Sequence, residues 1–168
     1  MSNLSSNIYQ MQHKEFLFLG REYADKALDF GKIFGDFFNK GGYEKITSHQ
    51  KDKNEHCVDT IVFYNKSTEY NTVFIGHMVE DITEAPDGHI LEKLPAAEFI
   101  VVTSGWVPTE GESHEAANAN KKHMQIPDGY VSDNKAGPYI CIEKMYECLE
   151  KGHRLDRWYP IKKAKAEN

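Results

Sequence analysis

The sequence predicts an α+β fold made of two strand–helix–strand–strand units that form an antiparallel sheet with two helices. Three observations carry this prediction. The 168-residue chain is 40% hydrophobic and 27% charged, which is typical of one globular domain with its own core. Segments that alternate with period two are interspersed with segments of helical spacing. The element order of the first half then recurs in the second half, although no residue-level repeat accompanies it.

The first unit begins with a strand at "EFLFLGREY", residues 15–23. In "DKALDFGKIFGDFFNKGG" the apolar side chains recur at intervals of three and four, which predicts an amphipathic helix with Asp25 as its N-cap and Gly41-Gly42 as its stop. That stripe consists of Ala27, Phe30, Ile33, Phe34, Phe37 and Phe38. A polar connection, "KITSHQKDKNEHC", leads to two strands, "DTIVFYN" and "NTVFIGHMVED", with "KSTEY" between them as a hairpin turn.

The second unit follows an acidic loop, "ITEAPDGHILEK", and begins with the strand "AAEFIVVTSGW". The segment "PTEGESHEAANANKKHM" predicts a helix, because Thr109 and Glu112 have the spacing of a capping box and alanines follow. After the loop "IPDGYVSDNKAGP", the segments "YICIEKMYE" and "RLDRWYPI" predict two closing strands. Packing both helices on the sheet gives the α+β arrangement.

The domain boundaries follow from composition at the two ends. We expect a flexible N-terminus over residues 1–14, a single domain over residues 15–163 and a loose tail over residues 164–168. The N-terminus lacks the charged and apolar regions of a signal peptide, and no run of about 18 apolar residues predicts a membrane span. Three cysteines without a CxxC motif are typical of a reduced compartment, so we expect a cytoplasmic protein.

Charge and motifs exclude several classes of function. A net charge of −6 argues against direct nucleic-acid binding, which needs a basic surface. The sequence contains none of the GxSxG, HExxH or GxxxxGK[ST] signatures, and its histidines lack the spacing of a zinc site. We therefore expect no metal and no cofactor. Cys141 lies in an apolar strand and Cys148 stands among glutamates, so neither cysteine has the surroundings of an activated nucleophile.

The stretch "GPYICIEKMYE" contains a carboxylate, Glu143, in an apolar strand. Alternation places Glu143 on one face with Tyr139, Cys141 and Met145, while Ile142 belongs to the opposite, core-facing side. Two interpretations are open. Glu143 is either half exposed and solvated, or it stands in a concave aromatic surface where a cationic ligand supplies its counter-charge.

Four aromatic residues are candidates for the wall of such a cavity. Trp106 follows a predicted strand end, and Trp158 lies in the last predicted strand. For each of these tryptophans the pattern favours a packing role over a place in the cavity wall. Together with Tyr64 and Tyr139 they could line the cavity.

The motifs of the second half resemble those of the GyrI-like small-molecule-binding family, the effector-binding domain also fused to AraC-type and MerR-type regulators. The resemblance rests on "LEKLPAAEFIVVTSG", "IPDGY", "GPYICIEKMYE" and "DRWYPIKK" in this order, and it covers roughly residues 15–163. It implies a duplicated fold with a central ligand groove, and its acidic residue corresponds to Glu143. The family glutamate stands two residues before a tyrosine, whereas Glu143 stands three before Tyr146, so Glu147 is a second candidate.

The resemblance implies a stand-alone binding module for amphipathic, often cationic, hydrophobic molecules. Its wall candidates are Glu143, Tyr139, Met145, Tyr64, Trp106, Trp158 and Glu147. Two alternatives remain. The first is a hydrolase of reactive cyclopropane-bearing compounds with Glu143 as the catalytic acid or base. The second is a protein-interaction module such as a gyrase-directed inhibitor. In each case we expect no direct contact with nucleic acid or membrane.

Overall fold

The computed structural model describes residues 6–50, 57–63, 71–133 and 140–166. Over these ranges the chain forms three helices and nine strands, and all strand pairs are antiparallel. In chain order the elements are β1 (Ile8–His13), β2 (Phe16–Asp25), α1 (Phe30–Asn39), α2 (Gly42–Thr47), β3 (Cys57–Phe63), β4 (Asn71–Val79), β5 (Ile90–Leu94), β6 (Ala97–Thr103), α3 (Glu110–Lys121), β7 (Tyr130–Ser132), β8 (Cys141–Cys148) and β9 (Gly152–Lys163). None of the helices in these ranges is long and apolar enough to cross a membrane.

The strand order confirms the duplicated α+β architecture. The sheet runs β1-β6-β9-β8-β3-β4-β2-β5, with β7 added beside β9. Its centre is the pairing of β8 with β3, and on either side the strands follow in equivalent order: β9 and β6 on one side, β4 and β2 on the other. The units β2-α1-β3-β4 and β6-α3-β8-β9 are therefore the two predicted repeats, joined at the middle of one sheet.

The two faces of the sheet have separate cores. On the face that carries the helices, α1 and α2 pack on a cluster that we call the helix-side core, formed by Leu19, Ile33, Phe37, Ile46, Val73, Ile75 and Val79. The opposite face holds the far-side core, formed by Phe16, Phe18, Phe74, Met78, Leu94, Phe99, Val101, Ile142 and Trp158. Since β2 and β6 both contribute to the far-side core although four strands separate them, the sheet curves around it.

Two glycines allow β2 and β4 to lie unusually close together. Gly20 and Gly76 stand directly opposite each other in the ladder. A Cβ on Gly20 would overlap the carbonyl of Ile75, and one on Gly76 would overlap the carbonyl of Leu19. Only glycine fits at either position, because any side chain would meet the backbone of the paired strand.

The first helix begins later than predicted. Its N-cap is Asp29, whose side chain accepts the backbone N–H of Lys32, whereas Asp25 is still the last residue of β2 and pairs with Asn71. Two aspartates compete for the cap position, and the strand pairing of the first decides the choice. The predicted stop is close to the observed one, because α1 ends at Asn39 and Gly41 has a positive φ of 69°.

Four short elements lie where a loop or a terminus was predicted. β1 includes residues assigned to the flexible N-terminus and pairs with β6 over six residues. The other three are α2 in the polar connection, β5 in the acidic loop and β7 in the loop before β8. In the second unit, Thr109 and Glu112 form the predicted capping box at the start of α3.

Candidate functional site

A groove of about 710 Å³ lies on the helix side of the sheet, between α1 and α3 and above β8. Both halves of the chain contribute to it. Its lining residues are Phe30, Gly31, Phe34, Phe38, Tyr43, Glu110, Ser113, His114, Glu143, Met145, Tyr146, Glu147, His153 and Arg154. This size is within the usual range of small-molecule sites, about 300–1,000 Å³.

One wall is the aromatic face of α1. Phe30, Phe34 and Phe38 recur every four residues, so they form a single row along the helix. Ile33 and Phe37 are offset from that row and anchor α1 in the helix-side core. The helix therefore buries one apolar row and leaves a second row facing the groove, with Phe30 46% and Phe38 47% exposed.

The floor is formed by β8, which contributes Glu143 and the consecutive residues Met145, Tyr146 and Glu147. Glu143, Met145 and Glu147 face the groove, whereas Ile142 points into the far-side core. Met145 also packs against the helix-side core, and Glu147 is exposed near the end of the strand. Strand alternation thus brings two carboxylates and a flexible thioether to one surface opposite the aromatic row.

Glu143 has a counter-charge within the protein. Arg157 lies directly opposite it on β9, and its Nε donates to Glu143 Oε1 at 2.9 Å. The Nη1 of the same guanidinium donates to Asn118 Oδ1 of α3 at 2.6 Å. Only 25% of the Glu143 side chain and 12% of the Arg157 side chain are exposed. A cationic ligand is therefore not required to neutralise Glu143, contrary to the second interpretation of the sequence.

A second ion pair lies at the edge of the groove. Arg154 borders it and forms two hydrogen bonds to the buried Asp156, from Nε at 2.8 Å and from Nη2 at 2.5 Å. These bonds hold the pKa of Arg154 above its usual value. On the α3 side, Glu110 lies 4.0 Å from the imidazole of His114. Among the described residues, Glu147 has no ion-pair partner.

Cys141, the first residue of β8, is buried and is not among the residues that line the groove. Burial raises the pKa of the Cys141 thiol to about 12, and the nearby Glu143 charge acts in the same direction. Burial likewise raises the pKa of the Tyr159 phenol on β9 to about 12. Both groups are neutral at physiological pH, so Cys141 is protonated and does not act as a nucleophile there.

The structure brings together three of the seven predicted site residues: Glu143, Met145 and Glu147. Trp158 stands opposite Ile142 in the ladder and is 7% exposed in the far-side core, where it contacts Phe99. It does not line the groove.

Of the remaining three predicted residues, the structure describes Trp106, which is not among the lining residues. Trp106 lies just outside the groove, with its ring 6.3 Å from that of Tyr146. Tyr64 and Tyr139 fall outside the described residues.

Two walls of the groove were missed from the sequence. The aromatic row of α1 was included in a single core stripe, although its strict interval of four distinguishes Phe30, Phe34 and Phe38 from Ile33 and Phe37. The contribution of α3 carries no comparable signal, since Ser113 and His114 are ordinary helix residues.

Within the described ranges, no group of three His, Cys, Asp or Glu side chains is arranged to hold a metal ion.

Comparison by sequence found no relatives: no family model matches the chain, and no curated protein matches it significantly. Comparison with solved structures did find similar folds.

Among these is SAV2435 bound to tetraphenylphosphonium, with a TM-score of 0.68 and 5% identity over 92% of this chain and 93% of the other. The EcmrR C-terminal domain has a TM-score of 0.59 and 10% identity, covering 94% and 98%. An integron cassette protein from Vibrio cholerae has a TM-score of 0.53 and 6% identity, covering 94% and 97%. Because similarity at such identities concerns the fold, it agrees with the motif resemblance on architecture: this chain has the GyrI-like fold.

Proposed function

We propose that the groove binds amphipathic organic cations that carry an aromatic or other apolar body. The observation that carries this proposal is the geometry of the groove. A row of phenylalanines on α1 faces carboxylates on β8, and the groove between them has a volume of about 710 Å³. An organic cation with an apolar body can contact the phenylalanines through that body and the carboxylates through its charge.

The aromatic row supplies the apolar contribution. Phe30 and Phe38 are large side chains that remain nearly half exposed, and Phe34 lies between them. Covering this surface with a ligand yields about 25 cal/mol for each Å² removed from water. A cation placed over one of the rings adds about 0.5–2 kcal/mol, and more when it is well shielded from water.

The charges favour a positive ligand. Glu143 and Arg157 cancel each other at short range, as do Asp156 and Arg154. Beyond these two pairs, the groove carries Glu147 on the floor and Glu110 on the α3 side. The charges of the lining therefore sum to a negative value, which attracts cations and disfavours anions.

The ion pair of Glu143 favours binding over hydrolysis. A catalytic acid or base must exchange a proton with water or substrate, but one oxygen of Glu143 accepts the Arg157 N–H at 2.9 Å. This contact holds the carboxylate in a charge-balanced position. In a protein of the same fold, the bound molecule is tetraphenylphosphonium, a lipophilic cation, which makes this compound a suitable probe.

The test is a calorimetric titration with tetraphenylphosphonium and with triphenylphosphine oxide, its neutral aromatic counterpart. We expect the cation to bind more tightly, and Phe38→Ala to weaken both ligands about 5- to 30-fold through lost apolar contact. Ile90→Ala is the matched control, because Ile90 is 40% exposed on β5 outside the groove. Equal affinities for the two ligands, or equal effects of the two substitutions, would contradict the proposal.

A further inference from the structure

Arg157 is held in place by three elements at once. It extends from β9 and stands directly opposite Glu143 of β8 in the ladder. Its Nε binds Glu143 at 2.9 Å, and its Nη1 binds Asn118 of α3 at 2.6 Å. Because a guanidinium is planar and rigid, two contacts on different nitrogens fix its orientation. The charge therefore stays beside Glu143 rather than moving into the solvent.

The position of Arg157 relative to the groove is asymmetric. Glu143 lines the groove, whereas Arg157 is only 12% exposed and does not line it. A ligand in the groove can contact Glu143 directly, but it experiences Arg157 only as a charge beyond it. A cation about 4 Å from the carboxylate would lie about 7 Å from the guanidinium, and since Coulomb energy falls as 1/r, the repulsion cancels more than half of the attraction.

From this geometry we infer that Arg157 is a specificity-determining counter-ion that limits how tightly the groove holds cations. The inference rests on the proposed function, because it concerns ligands of the same groove. It assigns Arg157 a positioning role, acting on the ligand through Glu143 and through its own field. Removing the Arg157 charge strengthens cation binding, although the residue never touches the ligand.

The experiment compares the wild type with Arg157→Gln, Glu143→Gln and the double variant, using tetraphenylphosphonium and triphenylphosphine oxide. We expect Arg157→Gln to bind the cation about 5- to 30-fold more tightly, with the neutral ligand changed less than about twofold. Glu143→Gln shifts cation affinity in the opposite direction. The double variant returns to within about threefold of the wild type, because both charges are then absent.

Two further variants separate charge from structure. Arg157→Lys keeps the charge without the planar contacts, so its cation affinity stays near that of the wild type. Asn118→Asp places a carboxylate against the guanidinium from the α3 side, at an exposed helix position that tolerates the change. It therefore raises cation affinity without removing Arg157, which keeps the test decisive if Arg157→Gln does not fold.

The outcomes for the two proposals are distinct. If the wild type prefers the cation but neither Arg157→Gln nor Asn118→Asp improves its binding, the counter-ion role is overturned and the proposed function stands. If Arg157→Lys strengthens cation binding as much as Arg157→Gln, charge is not the cause and the inference is likewise overturned. If the wild type binds neither ligand while Arg157→Gln binds the cation, the inference stands and the proposed function fails. If no variant binds the cation, both are overturned.

Discussion

Replacing Glu143 by glutamine removes one charge from the floor of the groove and preserves the shape of the side chain. The amide oxygen of the new residue can still accept the Arg157 N–H, so the contact that now measures 2.9 Å is weakened rather than lost. We expect the charge-assisted bond to account for about 1–2 kcal/mol of folding stability. Binding is therefore measured well below the unfolding temperature of the variant.

The effect on a cation follows from Coulomb's law. At about 5 Å and an effective dielectric constant of about 20, one charge pair contributes about 3 kcal/mol. The Glu143 side chain is 25% exposed, so solvent and salt reduce this figure. A loss of about 1–2 kcal/mol is expected, which is about 5- to 30-fold in the dissociation constant. A neutral ligand of similar size has no such contribution and should lose less than about twofold.

The assay is a titration of tetraphenylphosphonium and triphenylphosphine oxide into wild type, Glu143→Gln, Glu147→Gln and Glu15→Gln. Glu147 lies on the same floor but is exposed, so its charge is screened and its effect is smaller. Glu15 is the control, because it pairs with Lys93 away from the groove. Equal losses for the two ligands in Glu143→Gln would refute the charge role of that residue. A larger loss in Glu147→Gln would make Glu147 the principal acid.

Four other predictions concern the fold and the chemistry of the site. Gly76→Ala places a methyl group against the Leu19 carbonyl and should lower the free energy of unfolding in guanidinium by about 2–4 kcal/mol. Gly35→Ala, with open space around it in α1, should raise that free energy by about 0.5–1 kcal/mol. The reversed order of stabilities would contradict the close approach of β2 and β4. Thr109→Ala removes the capping box of α3 and should cost about 1 kcal/mol, with unchanged stability as the opposing result. The folded-state pKa of Cys141 is raised to about 12, so its contribution to folding stability is present below pH 9 and is lost as pH rises toward 12. Cys141→Ala should therefore reduce the loss of stability at alkaline pH. An identical dependence of stability on pH in the variant would count against the buried neutral thiol. A cyclopropane-bearing electrophile incubated with the protein should be recovered without added water by mass spectrometry, whereas a hydrated product would support the hydrolase alternative.

Local patterns were sufficient to predict the repeated units. The capping box of Thr109 and Glu112 needs only neighbouring residues, and the alternation that places Glu143 and Met145 opposite Ile142 needs only one strand. These features depend on short-range geometry, which a sequence displays directly.

The features that were missed depend on distant partners. β1 is stabilised by pairing with the edge of β6. The six-residue helix α2 is stabilised by the burial of Ile46 in the helix-side core. A segment of that length does not form a helix on its own, so its propensity gives little warning. The ion pair between Glu143 and Arg157 was missed for the same reason, because the contact depends on the register of β8 on β9.

The groove between α1 and α3 ties ligand affinity to the integrity of the whole sheet. One wall belongs to the first repeat and the other wall and the floor belong to the second, with β3 and β8 joining them at the centre. Neither repeat alone encloses the groove. A bound molecule therefore contacts both repeats and stabilises their association. By mass action, free ligand at one hundred times its dissociation constant adds about 2.7 kcal/mol to the unfolding free energy of the entire domain.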